Sequence, residues 1–307
     1  LFRSNLLREL NAGPTAGMTN NGTSNEWALR SYYGNVNYDY QDKYLVGFSL
    51  RNDGTSRLPS STRRGWFYSA SAAWRLSNEN FLMNVKWLND LKLRASYGKL
   101  GNQNIGIYPY QATLQNRDYV FNGAVQPGYS ASTLVDPSLI WESSSVFDIG
   151  LDLTAFNNKL TVIADWYNKY TYDILRTAQI PLWVGLNAPT INNGAVRDKG
   201  FELAIQYRDQ ISKDLGYFIG GNIQRYRNSL EDYGSTDIFS RTIRKEGMEL
   251  DAYYLYIWDG IFQNQEEIDK SPTQPVTPRP GDLKIRDLDG NGVINDQDRM
   301  RVDGKYP

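Results

Sequence analysis

Apolar and polar side chains alternate along many stretches of this chain. In residues 91–98 the odd positions are Leu, Leu, Ala and Tyr, and the even positions are Lys, Arg, Ser and Gly. Successive side chains of a β-strand point to opposite faces of a sheet, so this stretch predicts a strand with one apolar and one polar face. The same pattern recurs in residues 27–41, 44–53, 66–76, 147–155, 160–174, 201–208 and 217–227.

The connections between these stretches alternate in length. Asp42-Lys43, Asn157-Asn158 and residues 210–214 are short connections, residues 78–90 are intermediate, and the remaining ones are long. Antiparallel strands that cross a membrane give this rhythm, with tight periplasmic turns and long outer loops. A soluble β-sandwich also alternates, but its strands average about five or six residues, whereas a membrane strand needs about nine to eleven. The sequence therefore predicts an all-β chain that forms part of a large antiparallel transmembrane β-barrel.

This interpretation assigns the side chains of each strand to two environments. Leu93, Ile149, Leu151 and Leu203 are expected to face lipid. The residues at the alternate positions are expected to face the lumen. They include Arg94, Asp148, Asp152 and Glu202. Charged residues are ordinary in the polar interior of a channel, so the strand carboxylates do not by themselves indicate a glycosidase, which would need two of them flanking a cleft.

Composition narrows the function further. The 307 residues carry a net charge of −1 and form no basic stripe, so nucleic acid is not an expected partner. Cysteine and histidine are both absent. Zinc sites built on thiolate or imidazole, and Ser-His-Asp or Cys-His nucleophile systems, are therefore excluded. The 22 Tyr and 8 Trp suit surfaces that are apolar at one end and wet at the other.

Several segments resemble the SusC/RagA family of TonB-dependent outer-membrane transporters. In chain order they are YGNVNYDY at 33–40 with RNDGTSR at 51–57, LKLRASYGKLGNQ at 91–103, NGAVRDKGFEL at 193–203, and PGDLK at 280–284 leading into DLDGNG at 287–292. Each segment alone is weakly specific, but together they cover nearly the whole chain in the family's order.

The resemblance implies a 22-stranded barrel in the Gram-negative outer membrane, closed by an N-terminal plug on which TonB pulls. A SusD-like surface lipoprotein would cover the outer face, and the pair would take up oligosaccharides or peptides without catalysis. Residues 1–230 would supply barrel strands in contact with outer-membrane lipid, and residues 231–307 an extracellular loop region. We expect this chain to be an excerpt from the later part of the barrel, without the plug.

Two other functions remain open from the sequence. One is a TonB-dependent receptor for iron chelates or cobalamin. The other is a secreted β-rich protein that binds its target in a calcium-dependent way. A secreted protein would need no detergent for extraction, whereas a barrel would.

One acidic loop has the spacing of a calcium site. Asp287, Asp289 and Asn291 occupy positions one, three and five of an EF-hand-type loop, Gly292 is the turn glycine, and the Val293 carbonyl is at position seven. Asp298 stands at position twelve, where glutamate is usual, as in dockerin-like loops. These residues, with Gly292 aside, are the predicted Ca²⁺ ligands. The alternative is a solvated acidic turn whose side chains bond to nearby backbone.

Three more features of the outer segments each have two interpretations. The prolines from Pro272 to Pro280 form either a spacer that projects the acidic loop or a plain surface linker. The aromatic run at residues 253–258, and Trp183, are either sugar-stacking surfaces or packing within ordered outer loops.

Overall fold

Eight long antiparallel strands form the main sheet of the computed structural model, which describes residues 22 and 24–302. Numbering all strands along the chain, its members are β1 (Leu29–Tyr40), β2 (Tyr44–Thr55), β3 (Arg64–Arg75), β4 (Leu88–Asn102), β9 (Glu142–Ala155), β10 (Leu160–Tyr172), β13 (Ala195–Ser212) and β14 (Leu215–Asp232). Each pairs with the next in this order, and the sheet is open, with β1 and β14 at its edges. All eight predicted strands are present, so the alternating pattern predicted the sheet correctly.

Twelve short strands lie outside the main sheet in the described residues. They are β5 (Leu114–Asn116), β6 (Tyr119–Phe121), β7 (Ala124–Gln126), β8 (Tyr129–Ala131), β11 (Leu175–Thr177), β12 (Thr190–Asn192), β15 (Asp237–Ile238), β16 (Thr242–Arg244), β17 (Ala252–Tyr256), β18 (Trp258–Ile261), β19 (Leu283–Ile285) and β20 (Arg299–Arg301). One α-helix, α1 (Gln265–Asp269), begins after Asn264, whose side chain accepts from the backbone N–H of Glu267. Single 3₁₀ turns occupy Leu76–Asn78, Leu182–Val184 and Asp296–Asp298.

The alternation of connection lengths is confirmed. Residues 41–43, 76–87, 156–159 and 213–214 join strands at one end of the sheet, and 56–63, 103–141 and 173–194 join them at the other. One turn differs from the prediction of a two-residue Asn157-Asn158 loop. Phe156 also takes a positive φ, of 56°, beside the two asparagines at 57° and 63°. The turn between β9 and β10 therefore has four residues, 156–159, rather than two, because β10 begins only at Leu160, which pairs with Ala155.

The buried apolar side chains of the described residues lie mostly at the long-loop end of the sheet rather than between its faces. Leu58, Phe67, Leu139 and Trp141 form one such cluster, and Val196, Leu230 and Tyr233 form another. Mid-strand residues such as Phe48 and Ile149 remain about half exposed. A sandwich would cover these side chains with a second sheet. Here the apolar face requires another environment.

No helix in the described part of the chain is both long enough and apolar enough to cross a membrane.

Candidate functional site

The strand register places the predicted lipid-facing side chains together. Leu93 lies directly opposite Leu151 on the neighbouring strand, Leu151 is opposite Ala164, and Ala164 is opposite Leu203. Directly paired residues point to the same face of an antiparallel sheet. These residues therefore share one continuous apolar face with Ile149, as the sequence predicted.

Aromatic rings border this apolar face towards the long loops. The ring centroids of Tyr68 and Tyr97 are 6.3 Å apart, and those of Phe147 and Trp166 are also 6.3 Å apart. Phe201 is the direct partner of Trp166 on β13 and extends the row. We call these five residues the upper girdle.

A second aromatic row borders the same face towards the short turns. Tyr44 stacks on Tyr40 with centroids 6.5 Å apart and on Trp74 at 6.3 Å, and Tyr207 lies 6.3 Å from Tyr217. These five residues form the lower girdle. The Tyr44 hydroxyl and the Trp74 indole both donate to the Glu79 carboxylate, at 2.8 and 3.1 Å. The polar ends of these two rings thus bind a carboxylate at the edge of the apolar band, as at a membrane interface.

The girdles run obliquely across the strands. Trp74 belongs to the same row of direct partners as Leu93, Leu151 and Leu203. On β13, however, the lower girdle residue is Tyr207, which lies four residues closer to the short turn than Leu203. Strands tilted relative to a membrane produce this offset, because a horizontal boundary crosses successive strands at different heights. The alternating pattern of the sequence gives no signal for the girdles, because only the strand register brings these rings into rows.

The opposite, polar face carries a cluster of charges around Arg94. Its guanidinium lies 2.6 Å from Asp165, 3.1 Å from Asp152 and 3.5 Å from Asp148. Lys92 contacts Asp152 at 2.8 Å. Arg94, Asp148 and Asp152 occupy the face that the sequence predicted, and Glu202 lies on it as the direct partner of Asp165.

Gly150 makes room for this cluster. A Cβ atom at this position would lie 2.4 Å from Cζ of Arg94 and 2.5 Å from Oδ1 of Asp165. The Arg94 guanidinium can therefore reach Asp165 across β9 only because residue 150 has no side chain. Sequence periodicity gives no signal for this, since the contacts join three different strands.

The long connections pack together at their end of the sheet around Phe67. The ladder between β3 and β4 ends towards the loops at Ser69 and Gly98, and Phe67 lies two residues beyond it. Its ring makes an edge contact with Trp141 at 5.3 Å, and it belongs to the cluster with Leu58 and Leu139, both fully buried. The Trp141 indole donates to the Arg63 carbonyl at 3.0 Å. The connections 56–63 and 103–141 are thereby held to each other.

The acidic loop brings three of its predicted ligands together. Asp287, Asp289 and Asp298 each place one carboxylate oxygen within 4.8 Å of the others. Two oxygens on opposite sides of a calcium ion lie about 5 Å apart, twice the metal–oxygen distance. The spacing of the carboxylates therefore fits such an ion.

Backbone donors hold these carboxylates in place. Gly292 and Gly290 donate to the two oxygens of Asp287 at 2.8 and 2.7 Å, and the bond from Gly292 is the main cause that lowers the pKa of this carboxyl. Asp298 is fully buried and accepts from Leu288 and Asn295, both at 2.8 Å. These hydrogen bonds to the loop backbone equally suit a solvated turn.

The other two predicted ligands belong to the same chain of local contacts. The side-chain oxygen of Asn291 accepts from the Val293 N–H at 2.7 Å, and the Val293 carbonyl accepts from the Asn295 side chain at 3.2 Å. The proline segment lies against this loop, because Thr273 exchanges backbone bonds with Gly292 and Ile294 at 3.0 and 2.8 Å.

Arg299 joins the acidic loop to the aromatic run, a contact that sequence reasoning missed. β20 pairs with β17, so Arg299 lies opposite Tyr256, and its guanidinium is 5.4 and 5.6 Å from the ring centres of Tyr254 and Tyr256. It also donates to the Phe239 carbonyl at 3.1 Å. This part of the aromatic run therefore packs within the ordered segment that follows β14. Trp183, by contrast, is 85% exposed.

Comparison with known proteins decides which kind of sheet this is. A family model described as "TonB dependent receptor-like, beta-barrel" matches residues 3–263. The chain belongs to the TonB-dependent receptor β-barrel family. The strands of such a barrel have an apolar face towards lipid and a polar face towards the lumen. In this chain the face between the girdles is the lipid face, and the face that carries the Arg94 cluster is the lumen face. A soluble sandwich is excluded.

Individual relatives place the chain within this receptor family. It is 30% identical over 295 residues to TonB-dependent receptor P3 of Formosa agariphila, covering 92% of this chain and 30% of the relative. It is 30% identical over 293 residues to TonB-dependent receptor SusC of Bacteroides thetaiotaomicron, covering 88% and 28%. The "closed-closed" RagAB peptide importer superimposes with a TM-score of 0.76 at 28% identity, covering 98% and 33%.

These relatives confirm the SusC/RagA resemblance predicted from the motifs. The chain spans about a third of the length of the relatives it matches. It corresponds to one part of a larger receptor barrel, which agrees with an eight-stranded sheet that remains open at both edges.

Proposed function

We propose that this chain is part of a SusC-like importer in the Gram-negative outer membrane. The importer takes up oligosaccharides or peptides, works with a SusD-like surface lipoprotein, draws energy from TonB through a plug domain, and has no catalytic activity. The observation that carries the proposal is the two-faced sheet, apolar between two aromatic girdles on one side and lined by paired charges on the other. Membership of the family and likeness to SusC and the RagAB peptide importer support it.

Uptake by cells lacking the full-length gene tests the proposal. Such cells are expected to lose uptake of either labelled oligosaccharides or labelled peptides, and cells lacking TonB are expected to lose the same uptake. Restoring the gene should restore it. The measurement is the cell-associated label at low external concentration, where diffusion through general pores contributes least. Loss of iron-chelate or cobalamin uptake alone would instead establish the rival receptor function.

We further propose that Asp287, Asp289, Asn291, the Val293 carbonyl and Asp298 bind Ca²⁺. The convergence of three carboxylates and the lowered pKa of Asp287 support this. The ion would gather carboxylates that otherwise repel one another, and so stiffen the outer segment built on β17 and β20. Because the acidic loop bonds to the proline segment, the stiffening would extend to residue 273.

Asp289→Asn is the sharpest test of this calcium site. Asp289 is exposed, and its Oδ1 accepts a backbone bond that asparagine can still accept, so the loop backbone should keep its shape. The site loses one charge and the bond that Oδ2 accepts from the Asn291 side chain. Calcium binding to the full-length protein, measured by calorimetry, should weaken roughly tenfold or more, because affinity follows the charge of the ligand set. Asp269→Asn, which removes an exposed charge from α1, should leave it unchanged. Absence of calcium binding to the unaltered protein at millimolar concentration would refute the site.

A further inference from the structure

Four basic residues project from the apolar side of the sheet just beyond the upper girdle. Arg197 and Lys199 lie on β13, and Arg225 and Arg227 lie on β14. Arg225 is the direct partner of Phe201, a girdle residue, and Arg227 is the direct partner of Lys199. All four therefore belong to the same face as the girdle, on its long-loop side, and they line one concave surface that reaches Trp166 and Phe201. We call them the basic cluster.

Most of the positive charge in this cluster has no ion-pair partner. Arg197 lies 3.1 Å from Glu231, and the neighbouring Arg301 lies 3.6 Å from Glu249. Within residues 22 and 24–302, Lys199, Arg225 and Arg227 form no salt bridge, and all three are exposed. In the described part of the chain this surface thus carries five cations and two carboxylates, which leaves three positive charges in excess.

The strand register makes this arrangement costly in isolation. Like charges directly opposite each other on paired strands destabilise a sheet, and Lys199 and Arg227 are such a pair. Arg225 stands two residues from Arg227 on the same face of β14, so the three charges are neighbours. An anion held between them would remove the repulsion.

We propose that the basic cluster binds the phosphate of a phosphorylated lipid headgroup in the outer leaflet of the outer membrane. The inference rests on the proposed function, since only a membrane-inserted barrel presents this face to lipid. Arginine and lysine next to a membrane keep their charges at headgroup height while their stems follow the apolar surface. Trp166 and Phe201, directly below, would lie against the upper part of the acyl chains.

The chemistry and position of the cluster both favour a lipid over a soluble anion. Guanidinium groups bind phosphate oxygens in pairs, and Lys199 adds a point charge. The cluster faces outward from the barrel, away from the polar face that carries Arg94, so a substrate moving along the lumen would not meet it. A headgroup anchored by its chains reaches this surface at high local concentration.

The test compares lipid binding by two variants of the full-length protein in detergent. Lys199→Gln, Arg225→Gln and Arg227→Gln are combined in the first. The control combines Lys86→Gln, Lys213→Gln and Lys245→Gln, which removes the same charge at three exposed sites elsewhere. Binding of bis-phosphorylated lipid A, measured by titration, should weaken on the order of 100-fold in the first variant, since each basic residue near an anionic surface contributes about a factor of five. The control should bind like the unaltered protein.

Three further measurements make the outcome decisive. Dephosphorylated lipid A should bind weakly to all forms, and a large excess of inorganic phosphate should not displace lipid A. Displacement by phosphate alone would overturn the lipid assignment in favour of a soluble anion site, and equal lipid binding by both variants would overturn the site itself. Heat-modifiable migration on gels shows that each variant is a folded barrel.

The orientation of the barrel is checked separately, so that failure of the proposed function is recognised as such. The chain has no cysteine, which allows a single cysteine to be read without background. Thr277→Cys should react with an impermeant thiol reagent on whole cells, and Asn158→Cys should not. The reverse labelling would refute the proposed outer-membrane orientation, whatever the lipid result.

Discussion

Arginine in place of Leu151 is expected to destabilise the full-length barrel by about 2–4 kcal/mol, the cost of a charge on the lipid face near the bilayer midplane. Leu151 lies between Phe147 of the upper girdle and the turn at residues 156–159, and its direct partners are Leu93 and Ala164. A guanidinium there has no polar group within the apolar face to bond. The measurement is the free energy of unfolding in lipid vesicles, from a denaturant titration followed by tryptophan fluorescence.

The matched control for this substitution is Glu202→Arg, on the polar face at similar height. Glu202 is the direct partner of Asp165, so arginine there adds a cation beside a carboxylate in a polar lumen, and the cost should be close to zero. Asp152 is the less suitable comparison, because it contacts both Lys92 and Arg94 and its replacement by arginine would crowd three cations. Equal destabilisation by Leu151→Arg and Glu202→Arg would contradict the assignment of the two faces.

Truncation of Phe67 to alanine is expected to cost about 3–5 kcal/mol, the range for a large aromatic side chain removed from a packed site. Phe67 is 7% exposed, and its ring fills the gap where β3 and β4 separate. Gly101 borders the ring so closely that a Cβ there would lie 2.0 Å from it. The cavity left behind would remove packing contacts of Trp141 and Leu139, so the connection 103–141 should be held less firmly.

Two readouts distinguish this effect from a general weakening of the barrel. Unfolding of the full-length protein gives the global cost, and limited proteolysis gives the opening of residues 103–141 in the folded state. Phe81→Ala is the control, because Phe81 is 68% exposed in the connection at the other end of the sheet. It should change neither readout measurably. If Phe67→Ala left the protease sensitivity of the outer loops unaltered, Phe67 would not be their anchor.

The fold class and the positions of the long strands could be predicted from the local pattern of the sequence. Strand period two is a property of neighbouring residues, so it was visible in residues such as Leu91 to Gly98 without any partner strand. The alternating connection lengths gave the topology for the same reason. The strand ends were less accurate, as at Phe156, because a positive φ at a non-glycine residue is imposed by the register of the two strands it joins.

The candidate sites divide in the same way. The acidic loop was found from spacing, since its ligands are close in sequence and the loop brings Asp287, Asp289 and Asp298 together by local backbone bonds. The Arg94 cluster could not be assembled from sequence, because Arg94 meets Asp165 only across β9 and through the space left by Gly150.

By itself, then, the sequence determined three things: the strand period of two, the apolar and polar face of each strand, and the family of this protein. Each of them can be recognised in short stretches of residues. The tertiary structure decided which side chains lie opposite each other on neighbouring strands. Pairing of β13 with β14 sets Lys199 against Arg227, and the tilt of the strands aligns rings from Tyr40 to Tyr217 into a girdle. The reason is physical: the contact between two strands depends on their register, and a slip of one residue would turn every one of these side chains to the other face.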